Sequence, residues 1–197
     1  MAKLWNWLGR AKVGTSWPRS ARFVSLVRDS LELSEGDRVL DLGCGAGPDL
    51  PILREAVGPG GYVLAIDHSA EMVARAAEMV RKHGWDNVEV RQGDATTLAV
   101  SGFDAVLAAF SVSATPDVPA ALANARAALR PGGRLFVIDM RLADDTRLNR
   151  VLGWIYRRAA GWSGVDVLET ARGEFQQVRT PDRLPSWPPI VAFTAIR

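Results

Sequence analysis

Residues 39–47 read VLDLGCGAG. An apolar run with one embedded acid, Asp41, breaks into glycines at 43, 45 and 47, with Cys44 between the first two. Such a run reads as a short buried strand that ends in a bend. Glycine at alternate positions lets the chain turn sharply and lets a ligand lie against the backbone. The next segment, PDLPILREAV, reads as a helix with Pro48 in its first turn. A helix start exposes unpaired N–H groups. In a parallel sheet, ligands sit beyond the carboxyl ends of the strands, near the switch in strand order. The loop therefore reads as a ligand cradle.

Working outward, apolar runs alternate with helical patterns. GYVLAID, NVEVRQGD, FDAVLAAFS and RLFVIDM read as further strands. SAEMVARAAEMVRKHG reads as a helix capped by Ser69 and ended by Gly84. VPAALANARAALRPGG reads as another, stopped by Pro131 and two glycines. In RLNRVLGWIYRRAAG, residues Leu148, Val151, Leu152, Ile155 and Tyr156 share one helical face, with the arginines largely outside it. VDVLETARG reads as a short helix, and FQQVRT and PIVAFTAI as two last strands that form an antiparallel hairpin at one edge. Strands alternating with crossover helices predict a parallel sheet covered on both faces.

The chain has 197 residues, enough for one ordinary domain and one core. No window approaches the run of about 18 apolar residues of a membrane span, and the start carries no secretory h-region. A single cysteine excludes an intrachain disulfide, and with the missing leader it points to a reducing cytosol. Net charge is +2, unevenly spread: Lys3, Arg10, Lys12, Arg19, Arg22 and Arg28 all precede the first acid, Asp29.

The neighbours of the loop narrow the ligand. The spacing is G-x-G-x-G, with Pro48 where a dinucleotide fingerprint has its third glycine. Asp67 ends the second strand, where a carboxylate can accept hydrogen bonds from both ribose hydroxyls. Asp94 ends the third, where an adenine edge would lie. Asp41 can orient the loop or face a cation. So many carboxylates repel a diphosphate and favour a cationic, phosphate-free nucleoside.

Four segments in this order, VLDLGCGAG, VLAIDHSAEM, VEVRQGDATTL and LRPGGRLFVID, resemble the class I S-adenosylmethionine-dependent methyltransferases. The chain is most similar to small-molecule enzymes of the ubiquinone and menaquinone type. The resemblance implies an α/β, Rossmann-like, seven-stranded mixed sheet, with one antiparallel strand in the edge region and helices on both faces. It also implies S-adenosyl-L-methionine as cofactor and S-adenosyl-L-homocysteine as product. By resemblance, Asp41, Gly43, Cys44, Gly45 and Gly47 form the methionine-end loop, and Asp67 is the ribose acid. His68 and Met72 flank the adenine, Asp94 and Ala95 contact its edge, and Phe110 and Ser111 touch cofactor and acceptor.

Methyl transfer is a displacement at a carbon the cofactor has already activated, so the protein's share is alignment and exclusion of water. Neither histidine is placed to deprotonate an acceptor: His68 adjoins the ribose acid and His83 ends a helix. The segment LAAFSVSATPD offers only Asp117 toward a metal, and no metal is expected. Carbon or amine methylation is favoured, with an oxygen already acidic enough to ionise left open. Candidate acceptor-side residues are Ser111, Ser113, Asp139, Arg141 and Tyr156, with a surface turn and local ion pair as the plain alternative for Asp139 and Arg141.

MAKLWNWLGR places Met1, Leu4, Trp5 and Leu8 on one face of a helix, opposite Lys3, Asn6 and Arg10. This divides the chain into residues 1–32, a lid or interfacial segment, and 33–197, the methyltransferase domain. The expected acceptor is a small, lipophilic molecule or a lipid, with peripheral membrane contact through residues 1–12. A cytoplasmic enzyme at the inner membrane face fits both. A non-catalytic cofactor-binding partner subunit and a phospholipid N-methyltransferase are the alternatives. Nucleic acid is not an expected partner, because the basic residues lack interleaved aromatics.

Overall fold

The computed structural model describes residues 20–141, 151, 153, 154, 157, 158, 162–181 and 190–197. Its sheet is built from β1 (Arg38–Leu42), β2 (Tyr62–Asp67), β3 (Val88–Gln92), β4 (Phe103–Ala109), β5 (Leu129–Met140), β6 (Gln177–Arg179) and β7 (Ile190–Ile196). The spatial order is β3-β2-β1-β4-β5-β7-β6. The first five strands run parallel, while β7 pairs antiparallel with both β5 and β6. The expected terminal hairpin is therefore present, with its second strand on the inside: β7 lies against β5, and β6 takes the edge.

Helices cover the sheet, among them α1 (Ala21–Leu31), α2 (Leu50–Val57), α3 (Ala70–His83), α4 (Val118–Ala128) and α5 (Val167–Glu174). Successive strand residues point to opposite faces, and the core divides accordingly. Val39, Val63, Ala65, Ala105, Leu107 and Phe136 pack with Val27 and Leu31 of α1, Leu53 and Val57 of α2, and Ala76 of α3. Leu40, Leu42, Leu64, Ile66, Val106 and Ala108 pack with Leu122 and Ala125 of α4, and Leu168 and Ala171 of α5. Burial on both sides explains why the strands read as continuous apolar runs. Helix α1, within the segment expected to be a lid or interfacial element, docks on the core through Val27 and Leu31.

Local signals set the helix ends. Ser69 Oγ accepts from Met72 N, and Gly84 closes α3 in the left-handed conformation after Arg81, Lys82 and His83. Asp117 caps α4, its side chain accepting from Ala120 N at 3.0 Å. Two expectations need correction. Pro48 precedes the cap residue of α2, Asp49, and Pro51 is the proline in the first turn. The helix α4 ends at Ala128, and the following segment is already strand, with a register shift against β4 between Phe103 and Ala105 that accommodates Pro131 and its glycines. Among the described residues, no helix is long and apolar enough to cross a membrane.

Candidate active site at the carboxyl edge of the sheet

Chain order reverses between β1 and β4, so the crevice beyond their carboxyl ends is the natural ligand position. The glycine loop after β1 is tied to the end of β2. Gly43 N and Cys44 N both donate to Ile66 O, at 2.7 and 2.9 Å, and Gly45 N donates to Asp67 Oδ2 at 2.8 Å. Asp67 Oδ1 accepts from Ser69 N at 2.8 Å, so one carboxylate joins the loop to the start of α3. Each carboxylate oxygen has a second lone pair, which leaves Asp67 able to accept from a diol as well.

The three glycines do different work. All have positive φ, at 79°, 55° and 85° for Gly43, Gly45 and Gly47. A Cβ at Gly43 would lie 2.3 Å from Ser111 Cβ, and one at Gly47 would lie 2.8 Å from Leu50 Cδ1. At Gly45 no heavy atom lies within 4 Å of that position. Gly43 and Gly47 are thus required by protein neighbours, whereas Gly45 has open space where a side chain would stand.

The acids are spread along the strand tips. Asp41 and Asp67 are buried, and Asp94 is exposed beyond β3. The backbone N–H and then the hydroxyl of Thr96, both at 2.8 Å from its Oδ1, hold the Asp94 carboxyl below its ordinary range, with His68 assisting. Buried Cys44 records the local field: burial pushes its thiol well up, and the Asp41, Asp67 and Asp49 carboxylates push it further. His68 is exposed, its Nδ1 3.6 Å from Asp67 Oδ1, and Met72 is buried at the first turn of α3. Ala95 is half-buried, and its carbonyl accepts from Asn124 at 2.9 Å. His83 is at the far end of α3, stacked on Trp85 at the opposite edge of the sheet.

The other wall is the turn after β4. Phe110 takes a left-handed conformation, φ 55°, and is 40% exposed. Few non-glycine residues adopt that conformation, and it is a recurrent mark of functional turns. Ser111 Oγ donates to Leu42 O at 2.6 Å, closing β4 onto β1. Beneath the turn, Asp139 is fully buried. Its Oδ2 accepts from Ser113 N at 2.8 Å, and its Oδ1 accepts from Ser113 Oγ at 2.5 Å and Met140 N at 2.7 Å. Burial pushes its carboxyl up, opposed by these bonds.

Asp139 is therefore no surface residue, and it makes no ion pair with Arg141. Arg141 pairs instead with Asp166, through Nε and Nη2 at 3.0 Å each. Asp166 Oδ1 meanwhile caps α5 by accepting from Leu168 N and Glu169 N. Ser163 N donates to Ser113 O at 2.7 Å, so the segment before α5 is anchored on the same turn. Ser163 and Asp166 went unnoticed in the sequence, where only their polarity was visible. Tyr156 and residues 1–12 lie outside the described residues.

A family model described as "Methyltransferase domain" matches residues 33–170. The chain belongs to that family. The match includes the glycine loop, all three strand-tip acids and the turn after β4. The chain is 33% identical over 168 residues to an arsenite methyltransferase from Aquipseudomonas alcaligenes, covering 78% of this chain and 49% of the relative. It is 35% identical over 106 residues to a demethylmenaquinone methyltransferase from Lactococcus lactis, covering 53% and 42%. It thus spans about half the length of these curated relatives or less. A solved structure described as a SAM-dependent methyltransferase from Aquifex aeolicus superposes with a TM-score of 0.63 at 26% identity, covering 88% of both chains. The fold is the expected Rossmann-like methyltransferase fold.

The family's cofactor, S-adenosyl-L-methionine, fits what the site presents. The open space at Gly45 admits a ligand against the backbone, Asp67 has acceptor capacity for a ribose, and the carboxylates that raise the Cys44 thiol favour a sulfonium.

Proposed function

We propose that this methyltransferase domain moves a methyl group from S-adenosyl-L-methionine to a small, lipophilic acceptor with a carbon or amine nucleophile. The observation that carries the reading is the pairing of a side-chain-free bend at Gly45 with the acids Asp41, Asp67 and Asp94 on three neighbouring strands. When bound, the cofactor supplies a methyl carbon already activated by its sulfonium. Asp67 and Asp94 hold the nucleoside, and the Gly43–Gly47 loop receives the amino-acid end. Phe110, held exposed in a left-handed turn beside Ser111, offers an apolar wall to an acceptor on the other side of the crevice.

The chain's residues contribute alignment and exclusion of water. Orienting two reactants in a near-attack arrangement is worth about 7–11 kcal/mol in favourable cases, which suits a site where His68 sits beside the ribose acid and His83 at the far edge. The relative named for demethylmenaquinone supports a quinone-type small molecule as acceptor.

The test is calorimetry with S-adenosyl-L-methionine, followed by assay of S-adenosyl-L-homocysteine release over a panel of quinone precursors, lipid amines and acidic phenols. Binding with acceptor-dependent release supports the reading. Binding without turnover on any acceptor favours a non-catalytic partner subunit, and failure to bind removes the proposal.

A further inference from the structure

The large apolar side chains left exposed among the described residues are Phe110, Val151, Trp154 and Val165. Phe110 follows β4, and the others lie between β5 and α5. Residues 151, 153, 154, 157 and 158 are helical. Val151, counted on the apolar face in the sequence, is 57% exposed and Trp154 is 64% exposed, whereas Gly153 is buried on the opposite side. At 100° per residue, Val151, Trp154 and Arg158 share one outward face. Arg157 and Arg158 are both exposed. The Arg158 guanidinium stands 5.9 Å from the Trp154 ring centroid, and that of Arg157 stands 5.5 Å from the Trp162 ring. Trp162 precedes Ser163, whose N–H is fixed to Ser113 O on the turn beside Phe110. Arg157, at the margin of that face, is thus joined through Trp162 and Ser163 to the wall of the crevice.

We infer that the Val151–Trp154–Arg158 face docks on an anionic lipid bilayer, placing the acceptor mouth at the membrane. This rests on the proposed lipophilic acceptor and names where that acceptor comes from. Charge complementarity selects the occupant. The Arg158 guanidinium stands beside the exposed Trp154 ring, and an exposed tryptophan next to an exposed arginine suits the headgroup region, where the ring sits at the interface and the guanidinium meets anionic lipid. A single-stranded nucleic acid would need a series of stacking rings, whereas this face presents one.

The test is flotation of the full chain with vesicles of phosphatidylcholine alone or containing phosphatidylglycerol. The expected result is binding to the anionic vesicles and little to the neutral ones. Trp154→Ser and, separately, Arg158→Gln should each weaken binding, the arginine variant by about fivefold. Calorimetry with S-adenosyl-L-methionine shows that each variant is folded. Trp154, 64% exposed, keeps the test alive should the arginine variant fail to fold. The inference is overturned if the wild type does not float, or if both variants float like wild type. It is also overturned if only Trp5→Ser with Trp7→Ser abolishes flotation, or if Trp154→Ser merely converts a dimer to a monomer. Turnover of a detergent-dispersed acceptor by a protein that ignores vesicles would sink this inference and spare the proposed reaction. Flotation without turnover of any acceptor would do the reverse.

Discussion

Ser111 and Gly43 meet across the crevice: a Cβ on Gly43 would lie 2.3 Å from that of Ser111, whose hydroxyl donates to Leu42 O at 2.6 Å. The two strand ends that frame the ligand position are therefore in direct contact. Gly43→Ala combines this clash with a left-handed backbone and should cost about 2–5 kcal/mol. Gly45→Ala meets no neighbour within 4 Å and carries only the backbone penalty, about 1–2 kcal/mol. On the proposed cofactor position, its added methyl would occupy ligand space, and affinity should fall roughly tenfold or more. Thermal unfolding and calorimetry on both variants check this division: equal stability losses, or unaltered affinity in Gly45→Ala, would contradict it.

Asp67 is expected to dominate nucleoside affinity. Hydrogen bonds to a charged partner contribute about 1.5–3 kcal/mol each, so losing two from a ribose in Asp67→Ala should weaken S-adenosyl-L-methionine binding by about 10²–10⁴-fold. The variant also strips the acceptor from Gly45 N and Ser69 N. Asp67→Asn, which keeps one acceptor oxygen, should fall between it and wild type in a titration.

Asp139 predicts a pH effect on stability. Burial raises its carboxyl pKa in the folded state. The folded protein therefore holds that proton more tightly than the unfolded chain, whose carboxyl titrates near ~3.9. From that pH upward through the raised folded value, the unfolded state binds fewer protons, and the contribution of Asp139 to stability declines. Asp139→Asn removes the titration. The melting temperature of wild type minus that of the variant should be largest at low pH and shrink as pH rises, and a difference that grows with pH would refute the assignment.

Cys44 should be inert toward thiol reagents in the folded protein. It is 3% exposed and its thiol is pushed well above its ordinary range, first by burial and then by Asp41. The thiolate is the reactive form. Maleimide labelling should be slow natively and complete in denaturant, while fast native labelling at neutral pH would show that the loop opens.

The sheet was legible because its strands are buried on both faces and bounded by glycine and proline. Val39 to Leu42 and Val63 to Ile66 could hardly be anything else. The glycine loop and Asp67 were legible because their roles depend on position relative to a strand end. What escaped the sequence was depth and partner. Nothing in IDM or in FSVSA says that Asp139 lies wholly buried beneath Ser113, or that Arg141 reaches forward 25 residues to Asp166 rather than back to Asp139. Pro48 was assigned to the helix because a proline suits a first turn, and Pro51, three residues on, meets the same rule. Val151 fitted the apolar stripe by spacing alone, and spacing cannot tell a face turned inward from one left uncovered.

The segment before α5 is moored on the turn after β4 by Ser163 N–H and Ser113 C=O, atoms that every residue except proline can supply. That bond is indifferent to side-chain identity, whereas the Arg141–Asp166 pair beside it is not. Acceptor-recognition segments from related proteins could be grafted onto this scaffold without rebuilding the nucleoside half, and a lineage could change its acceptor by the same exchange.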